Sequence, residues 1–373
     1  MVDRPTIHHP GELRWETRLL AAISAVLTVV GIASLYGAAT FERNAFGFFL
    51  KQLTGAAAGA VAMVVVARVE YHRWRALAWP LLLGSIALLI VPLLPFTRPI
   101  SAPVNGARRW ITLGPLNLQP SEAARFAVAV WAAMLAAKKG EAIRGFKTGV
   151  LPFLLVLGVV SLLVLLEPNL SMAALIAFVG GVVLFTAGAK IGHFLLLGVA
   201  GLFAGVSLIW AEPYRLQRLR CFLEPCGDAG FQLSQALLGF GSGGPFGVGF
   251  GHGQLKMRYL PYAYSDFLAS TIGEEWGFAG VLIVAALFTV FCWLGFRIAR
   301  TAPDPFGQYL ATGLTASVAL TALLHAAVNL GLMPTTGLAF PFMSYGRSGL
   351  VIALVSVGVL VNIGRGRGRP VPQ

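Results

Sequence analysis

Apolar residues run along this chain in blocks, each about a membrane thickness long, broken by short polar stretches. The blocks fall near 19–39, 47–67, 77–96, 120–137, 148–166, 171–188, 191–210, 267–296, 307–330 and 348–363. A helix of about 20 apolar residues crosses ~30 Å of hydrocarbon. Backbone in lipid must satisfy its own hydrogen bonds, so blocks of this length predict helices; a barrel would show short alternating strands. The expected fold is all-α: a polytopic membrane protein with about ten transmembrane helices. The 267–296 block is long enough to tilt or to project from the bilayer. A large extracytoplasmic loop, 211–265, separates helices 7 and 8. No soluble domain, linker or internal repeat breaks the pattern. Residues 1–373 therefore read as a single integral membrane domain, with a cytoplasmic N-terminus at 1–18 and a cytoplasmic basic tail at 364–373.

Composition agrees with the pattern. The chain is 57% hydrophobic and 12% charged, half the charge of a typical soluble domain, about 25%, and its mean hydropathy is +0.77. An even number of spans puts both termini on one side. With the termini inside, sixteen of the 28 Lys and Arg residues fall in inner segments, which are short and uniformly basic. That is the positive-inside pattern of a multi-pass protein of the cytoplasmic (inner) membrane. The first apolar block is too long for a signal h-region and reads as an anchor. The formal charge of +13 is accounted for by this anchoring and by two basic outer loops, so no nucleic acid partner is expected. The Arg365, Arg367 and Arg369 tail suits anionic membrane lipid. Cys221 and Cys226 share the second outer loop, where a local disulfide or free thiols both fit; no pair of further ligands nearby suggests a metal site.

The chemistry concentrates in the outer segments. The first, 97–119, carries Asn105-Gly-Ala-Arg-Arg-Trp-Ile111 and leads into Gln119-Pro-Ser-Glu-Ala-Ala-Arg125. Pro120, Ser121 and Glu122 suit the first turn of a helix, and Arg125 falls on the same face as Glu122. This reads either as a capped helix with a local ion pair or, with Arg108 and Arg109, as guanidinium forks for a phosphate. Trp110 suits the lipid interface. Glu167-Pro-Asn169 reads as a tight turn with an exposed acid. In the second loop, Arg215, Gln217 and Arg218 fit one polar face of a short helix. The glycine run 241–253 matches no nucleotide fingerprint and predicts a compact or re-entrant turn packed on protein. Lys256 follows. Asp266 then stands at the mouth of the longest apolar block. Ser265 or Asp266 would serve as an N-cap; among Tyr262, Tyr264 and Phe267, Asp266 would also make a base of raised pKa. Glu274 and Glu275 lie two turns inside the same helix, where charge needs a partner. His325 and Asn329 read as interhelical hydrogen-bonding groups.

Taken in order, Asn105-Gly-Ala-Arg-Arg-Trp-Ile, Gln119-Pro-Ser-Glu, Glu167-Pro-Asn, Tyr214-Arg-Leu-Gln-Arg, Ser265-Asp-Phe, Gly273-Glu-Glu-Trp-Gly, Met333-Pro-Thr-Thr-Gly and Pro341-Phe-Met-Ser-Tyr-Gly resemble the SEDS family (FtsW, RodA and SpoVE), the polytopic peptidoglycan polymerases. Phe231-Gln-Leu-Ser-Gln and Pro334-Thr-Thr-Gly look closer to FtsW. The resemblance implies a peptidoglycan glycosyltransferase acting on lipid II, with Asp266 as catalytic base. It implies substrate-binding roles for Arg108, Arg109, Glu122, Arg125, Gln217, Arg218, Lys256 and Ser344. It implies a class B penicillin-binding protein and other divisome proteins as partners, and it leaves room for a divalent cation, Mg or Mn. The chain departs from the family at Arg125 (usually Lys), Asn169 (usually Asp), Tyr262, Tyr264, His325, Arg347 and Gly349. A lipid II flippase, an elongation polymerase and an inactive division scaffold are the alternatives.

Overall fold

The computed structural model describes residues 13–40, 45–103, 106–114, 116–224 and 226–366. Asn105 of the first motif, the first twelve residues and the tail beyond Gly366 lie outside the described residues. The ten apolar blocks fold as α1 (Leu13–Ala39), α2 (Ala45–Arg68), α3 (His72–Ile90), α4 (Pro120–Lys139), α5 (Leu151–Leu166), α6 (Leu170–Thr186), α7 (Ile191–Trp210), α10 (Leu268–Arg300), α11 (Pro305–Asn329) and α12 (Arg347–Arg365). Two more helices, α8 (Pro213–Leu223) and α9 (Gly227–Gly243), occupy the second outer loop. A small antiparallel hairpin, β1 (Ile111–Leu113) with β2 (Leu116–Leu118), pairs Ile111 with Leu118 in the first.

Eight of the ten helices are long and apolar enough to cross a membrane by themselves. The other two are α4 and the 17-residue α6. Helix α6 is apolar but short; for α4 the reason is position. Helix α4 lies inside the bundle, where lipid does not select its surface, so it is rich in alanine and carries Glu122, Arg125 and the fully enclosed Trp131. Helix α7 is the opposite case: none of its residues is buried, and its side chains are almost all apolar.

The two ends of the bundle differ. One end gathers the start of α1, the end of α12 and the α2–α3 and α10–α11 turns. There Arg297 pairs with Glu16 at 2.7 Å, the Tyr71 amide donates to Asn362 Oδ1 at 2.8 Å and the Tyr71 hydroxyl meets Asp304. The other end gathers Gln52, the first outer loop, the α5–α6 turn, α8, the start of α10 and the 333–346 segment. The ends of the described chain therefore lie on one side, and the predicted chemistry lies on the other.

Helix α10 is broken. Gly277 sits at φ 67°, ψ −167°, a conformation that L side chains rarely adopt. The glycine run enters the break and repairs it. Val248 N and Gly249 N donate to the freed carbonyls of Glu274 and Glu275, at 3.0 and 3.1 Å. Phe278 N and Ala279 N donate to Gly244 O and Pro245 O, at 2.9 and 3.0 Å. Non-helical backbone at membrane depth is tolerated only when its polar groups are bonded to protein in this way. The re-entrant turn expected from glycine spacing is thus present, and its role is to complete a helix.

A β-carbon at Gly277 would fall 2.2 Å from Gly247 N and 2.6 Å from Phe246 backbone atoms. Gly277→Ala is expected to destabilise by several kcal/mol, roughly 1–3 from backbone strain and as much again from overpacking. Gly181→Ala in α6, where a β-carbon meets nothing within 4 Å, is the neutral control. Thermal unfolding of detergent-purified variants checks the pair.

Candidate functional site

Asp266 closes the outer loop one residue before the N-cap of α10, Phe267, which makes no side-chain cap bond. The cap comes from another helix. Asn329, the last residue of α11 and fully enclosed, accepts from Ser270 N at 3.1 Å and from Ser270 Oγ at 2.8 Å. Its amide nitrogen donates to Asp266 O at 3.1 Å and to His325 O at 2.9 Å. Asn329 therefore satisfies a helix-terminal N–H that Asp266 would otherwise be drawn to, and it fixes the Asp266 main chain. Asp266 is thus not the cap of α10.

The neighbouring turn is pinned just as closely. Ser344 Oγ donates to Ser265 O at 2.5 Å and accepts from Phe340 N at 2.9 Å. Tyr345 N donates to Tyr264 O at 3.1 Å. Buried Gln52 of α2 donates to Ser344 O at 3.0 Å and accepts from Gly346 N at 3.2 Å. His325 meets Leu338 O at 2.8 Å and stacks on Phe340. A β-carbon on Gly337 would lie 3.7 Å from Asp266 Oδ2, so the carboxyl faces the 333–346 segment.

Two arginines share the electrostatic field of this carboxyl. Arg218 of α8 donates to Thr335 O at 2.9 Å and lies 4.5 Å from the centre of the Tyr214 ring. Arg109 donates to Glu167 O at 2.9 Å and to Pro168 O at 2.5 Å. Burial pushes the Asp266 carboxyl above its ordinary range, while the Ser265 hydroxyl, Arg218 and Arg109 oppose the shift. The result is a carboxyl that can accept a proton and has cations beside it. Burial lowers the Arg109 pKa, with Tyr214, Glu167 and Asp266 holding it up.

Glu167 corrects an expectation. It is not an exposed turn acid: only 1% of its surface is accessible. Neither carboxyl oxygen has a hydrogen-bond partner among the described residues, and burial raises its pKa to about 8 against the pull of Arg109. The signal available in sequence, an acid at the lipid-side end of an apolar helix, did not distinguish an exposed residue from an enclosed one.

The other sequence-derived site residues separate by geometry. Arg108 donates to Ser101 O, Leu94 O and Thr97 Oγ1, all within 3.0 Å, and so staples the first loop to the end of α3. Arg125 donates to Glu122 Oε2 at 2.6 Å and to Thr321 Oγ1 at 2.7 Å. Both members of that pair are buried between α4, α11 and α12, and Arg125 is not among the cations that bear on Asp266. Lys256 meets Gly251 O and sits 3.7 Å from Glu275 Oε1. Glu274 accepts from Gln254 N at 2.7 Å and from Leu255 N at 3.2 Å. These contacts answer the cost of charge inside the helix. Gln217 lies near Gly227, at the junction of α8 and α9. The same junction is closed by a disulfide between Cys221 and Cys226, with α-carbons 4.7 Å apart. Ser344 acts on the backbone beside Asp266. The residues that sequence reasoning did not assign to the site are Gln52, Thr335, Glu167 and Asn329, the last of which it read only as an interhelical hydrogen-bonding group.

Among the described residues no group of three or more His, Cys, Asp or Glu could hold a metal ion. One carboxyl flanked by two arginines is no cage for Mg or Mn, so no step is routed through a protein-held cation.

Comparison with known proteins places the chain. The family model described as "Cell cycle protein" (FtsW, RodA, SpoVE) matches residues 12–368. A Trichlorobacter lovleyi protein named "Probable peptidoglycan glycosyltransferase FtsW" is 40% identical over 357 residues, 93% of each chain. Stage V sporulation protein E of Bacillus subtilis is 35% identical over 355 residues, 93% of this chain and 96% of that one. A solved peptidoglycan synthase complex that coordinates polymerization and crosslinking contains a chain that superimposes with a TM-score of 0.80 at 26% identity, covering 94% of this chain and 98% of that one. The rod shape determining protein RodA of Thermus thermophilus gives 0.70 at 27% identity, covering 94% and 97%.

Proposed function

The chain belongs to the FtsW/RodA/SpoVE family of cell cycle proteins, and on that premise we propose that it is a peptidoglycan glycosyltransferase polymerising lipid II at the outer face of the cytoplasmic membrane. The observation that carries the reading is the Asp266 carboxyl, relieved of capping by Asn329 and set in the joint field of Arg109 and Arg218. Asp266 takes the proton from the acceptor GlcNAc 4-hydroxyl. That oxygen attacks C1 of the donor MurNAc from the face opposite the leaving group. The C1–O bond to phosphate breaks, its electron pair leaves with undecaprenyl diphosphate, and the anomeric centre inverts. Arg109 and Arg218 stabilise the charge gathering on the diphosphate, a kind of preorganised electrostatic effect often worth several kcal/mol. Arg108, Lys256 and Ser344 hold the loops around these groups, and Gln217 lies at the α8–α9 junction. For Glu122 and Arg125 to contact substrate, their mutual ion pair would have to open.

The relatives' names favour septal synthesis, and a neighbouring complex that couples polymerization to crosslinking supports a transpeptidase partner; we propose a class B penicillin-binding protein for that partner, and other divisome proteins beside it. Both termini lie on the cytoplasmic side in this reading. A flippase would gather substrate-binding groups at mid-membrane. Here Glu274, Glu275 and His325 are tied to their own protein neighbours, and the arginines stand at the outer end. Purified protein with its partner, given labelled lipid II, is expected to make glycan strands resolvable by gel. Lipid II translocation in proteoliposomes with no polymer formed would overturn the reading in favour of transport.

A further inference from the structure

Glu167 is an enclosed acid that the reaction above does not use. Both its oxygens are buried and neither accepts a hydrogen bond among the described residues. Its own main-chain carbonyl, however, is held by Arg109 Nε at 2.9 Å, and Pro168 O by Arg109 Nη2 at 2.5 Å. The guanidinium is thus fastened to the carbonyls of the very turn that carries the carboxyl, while the two carboxyl oxygens stay without a hydrogen-bond partner among the described residues. Among the described residues Arg109 is the charged group that bears on Glu167. Arg109 in turn feels Tyr214 and Arg218 from α8 and Asp266 from the start of α10. Asn169, next in the turn, is occupied in capping α6 through Met172 N at 3.3 Å.

An ionised carboxylate with no donor, stranded in a buried site, is costly, and a neutral acid there is far less so. Ionising Glu167 would draw the nearest cation onto it, and that cation is Arg109. We infer that Glu167 is a charge gate on Arg109: as a neutral acid it leaves the guanidinium to the lipid-linked diphosphate, and as a carboxylate it withdraws it. Glu167 is a positioning residue, acting through Arg109 and touching neither sugar. The proton it loses goes to solvent, and no bond in the substrate depends on it. This rests on the glycosyltransferase reading only for the identity of the diphosphate.

The test compares wild type with Glu167→Gln, which is neutral at every pH. Affinity for undecaprenyl diphosphate and polymerisation from lipid II are both followed from pH 6 to 10. The diphosphate's own titration is common to both proteins, so the ratio of variant to wild type is read. The ratio should stay near one at pH 6.5 and rise above about pH 8, by up to tenfold per pH unit for loss of a single proton. Glu167→Asp, still ionisable, should keep the wild-type alkaline limb. A ratio that is flat across the range would overturn the gate, as would an Asp variant that loses the limb. Where Glu167→Gln does not fold, infrared difference spectra of Asp266→Asn are compared with those of Asp266→Asn with Glu167→Asp, which shifts the Glu167 band and no other: a carboxylic-acid band so assigned that disappears with a midpoint near pH 8 supports the gate, and its absence at pH 6.5 overturns it. If wild type makes no glycan at any pH, the glycosyltransferase reading fails, while the binding ratio still decides the gate.

Discussion

Asp266→Asn is expected to lower glycan polymerisation by about 10²–10⁴-fold, the span typical of losing a positioned general base, while leaving the fold intact. The second half of that expectation separates catalysis from architecture. A carboxylate that capped α10 would, on replacement by alanine, cost about 1 kcal/mol of stability, whereas asparagine would keep the cap. The cap bond to Ser270 N comes instead from Asn329, and the Asp266 contribution to the framework is its main-chain carbonyl, which Asn and Ala both retain. Melting of Asp266→Ala should therefore match wild type within about 0.5 kcal/mol, the range of substitutions away from caps and core packing. Asn329→Ala should do the reverse, lowering stability and disturbing Asp266 through the backbone. The pH dependence has a definite sign. Burial raises the Asp266 pKa above its ordinary 3.8, so the base is lost as pH falls through that raised value. The acid limb of kcat/KM should lie higher than an exposed aspartate would place it. Full activity in Asp266→Asn, or loss of activity matched by loss of fold, would remove Asp266 from the mechanism.

The contrast between Asp266 and its neighbours shows what a linear sequence carries. Membrane-length apolar blocks are a strong local signal, and all ten reappear as helices. Their lipid-facing sides are selected by one requirement, low polarity. Helix α4 was legible for a different reason: it packs inside the bundle, and its alanine- and valine-rich run reads as apolar although it retains a buried ion pair. The ambiguity of its Glu122 and Arg125 was also legible: spacing allowed either an ion pair or a phosphate site, and the structure forms the ion pair. The break in α10 was half legible. Glycine spacing announced an irregular turn, but which carbonyls it would satisfy depends on contacts between residues 244–249 and 274–279. The framework of the site is less legible still, because it is made by distant pairs. Gln52 reaches Ser344 across nearly 300 residues, and Asn329 reaches Ser270 across 59. Glutamine or asparagine inside an apolar block signals that a partner exists without saying which one. Arg108 and Arg109 make the limit plain. They are adjacent and chemically identical, yet Arg108 is spent on the first outer loop and the end of α3, while Arg109 reaches the α5–α6 turn and bears on Asp266.

That asymmetry supports the second large effect. Arg109→Ala is expected to reduce kcat/KM by about 10²–10³-fold, the loss seen when a preorganised donor to developing charge is removed. Arg108→Ala is expected to act mainly on stability, through three lost bonds to the first loop. Arg109→Lys discriminates between charge and geometry. A lysine keeps the positive charge but carries its three donors on one atom, so bonding Glu167 O and Pro168 O would leave one N–H for a diphosphate where arginine leaves three in a planar fork. It should fall between wild type and Ala, with KM for lipid II raised more than kcat is lowered if ground-state binding of the diphosphate is the larger part of its role. An equal fall in kcat and kcat/KM would instead place the interaction in the transition state alone. The double variant Arg109→Ala with Glu167→Gln closes the argument. If Glu167 acts only through Arg109, adding Glu167→Gln to Arg109→Ala changes nothing, and the alkaline limb is already absent from the single Arg109 variant. Additive losses in the double variant would mean that the two residues act separately.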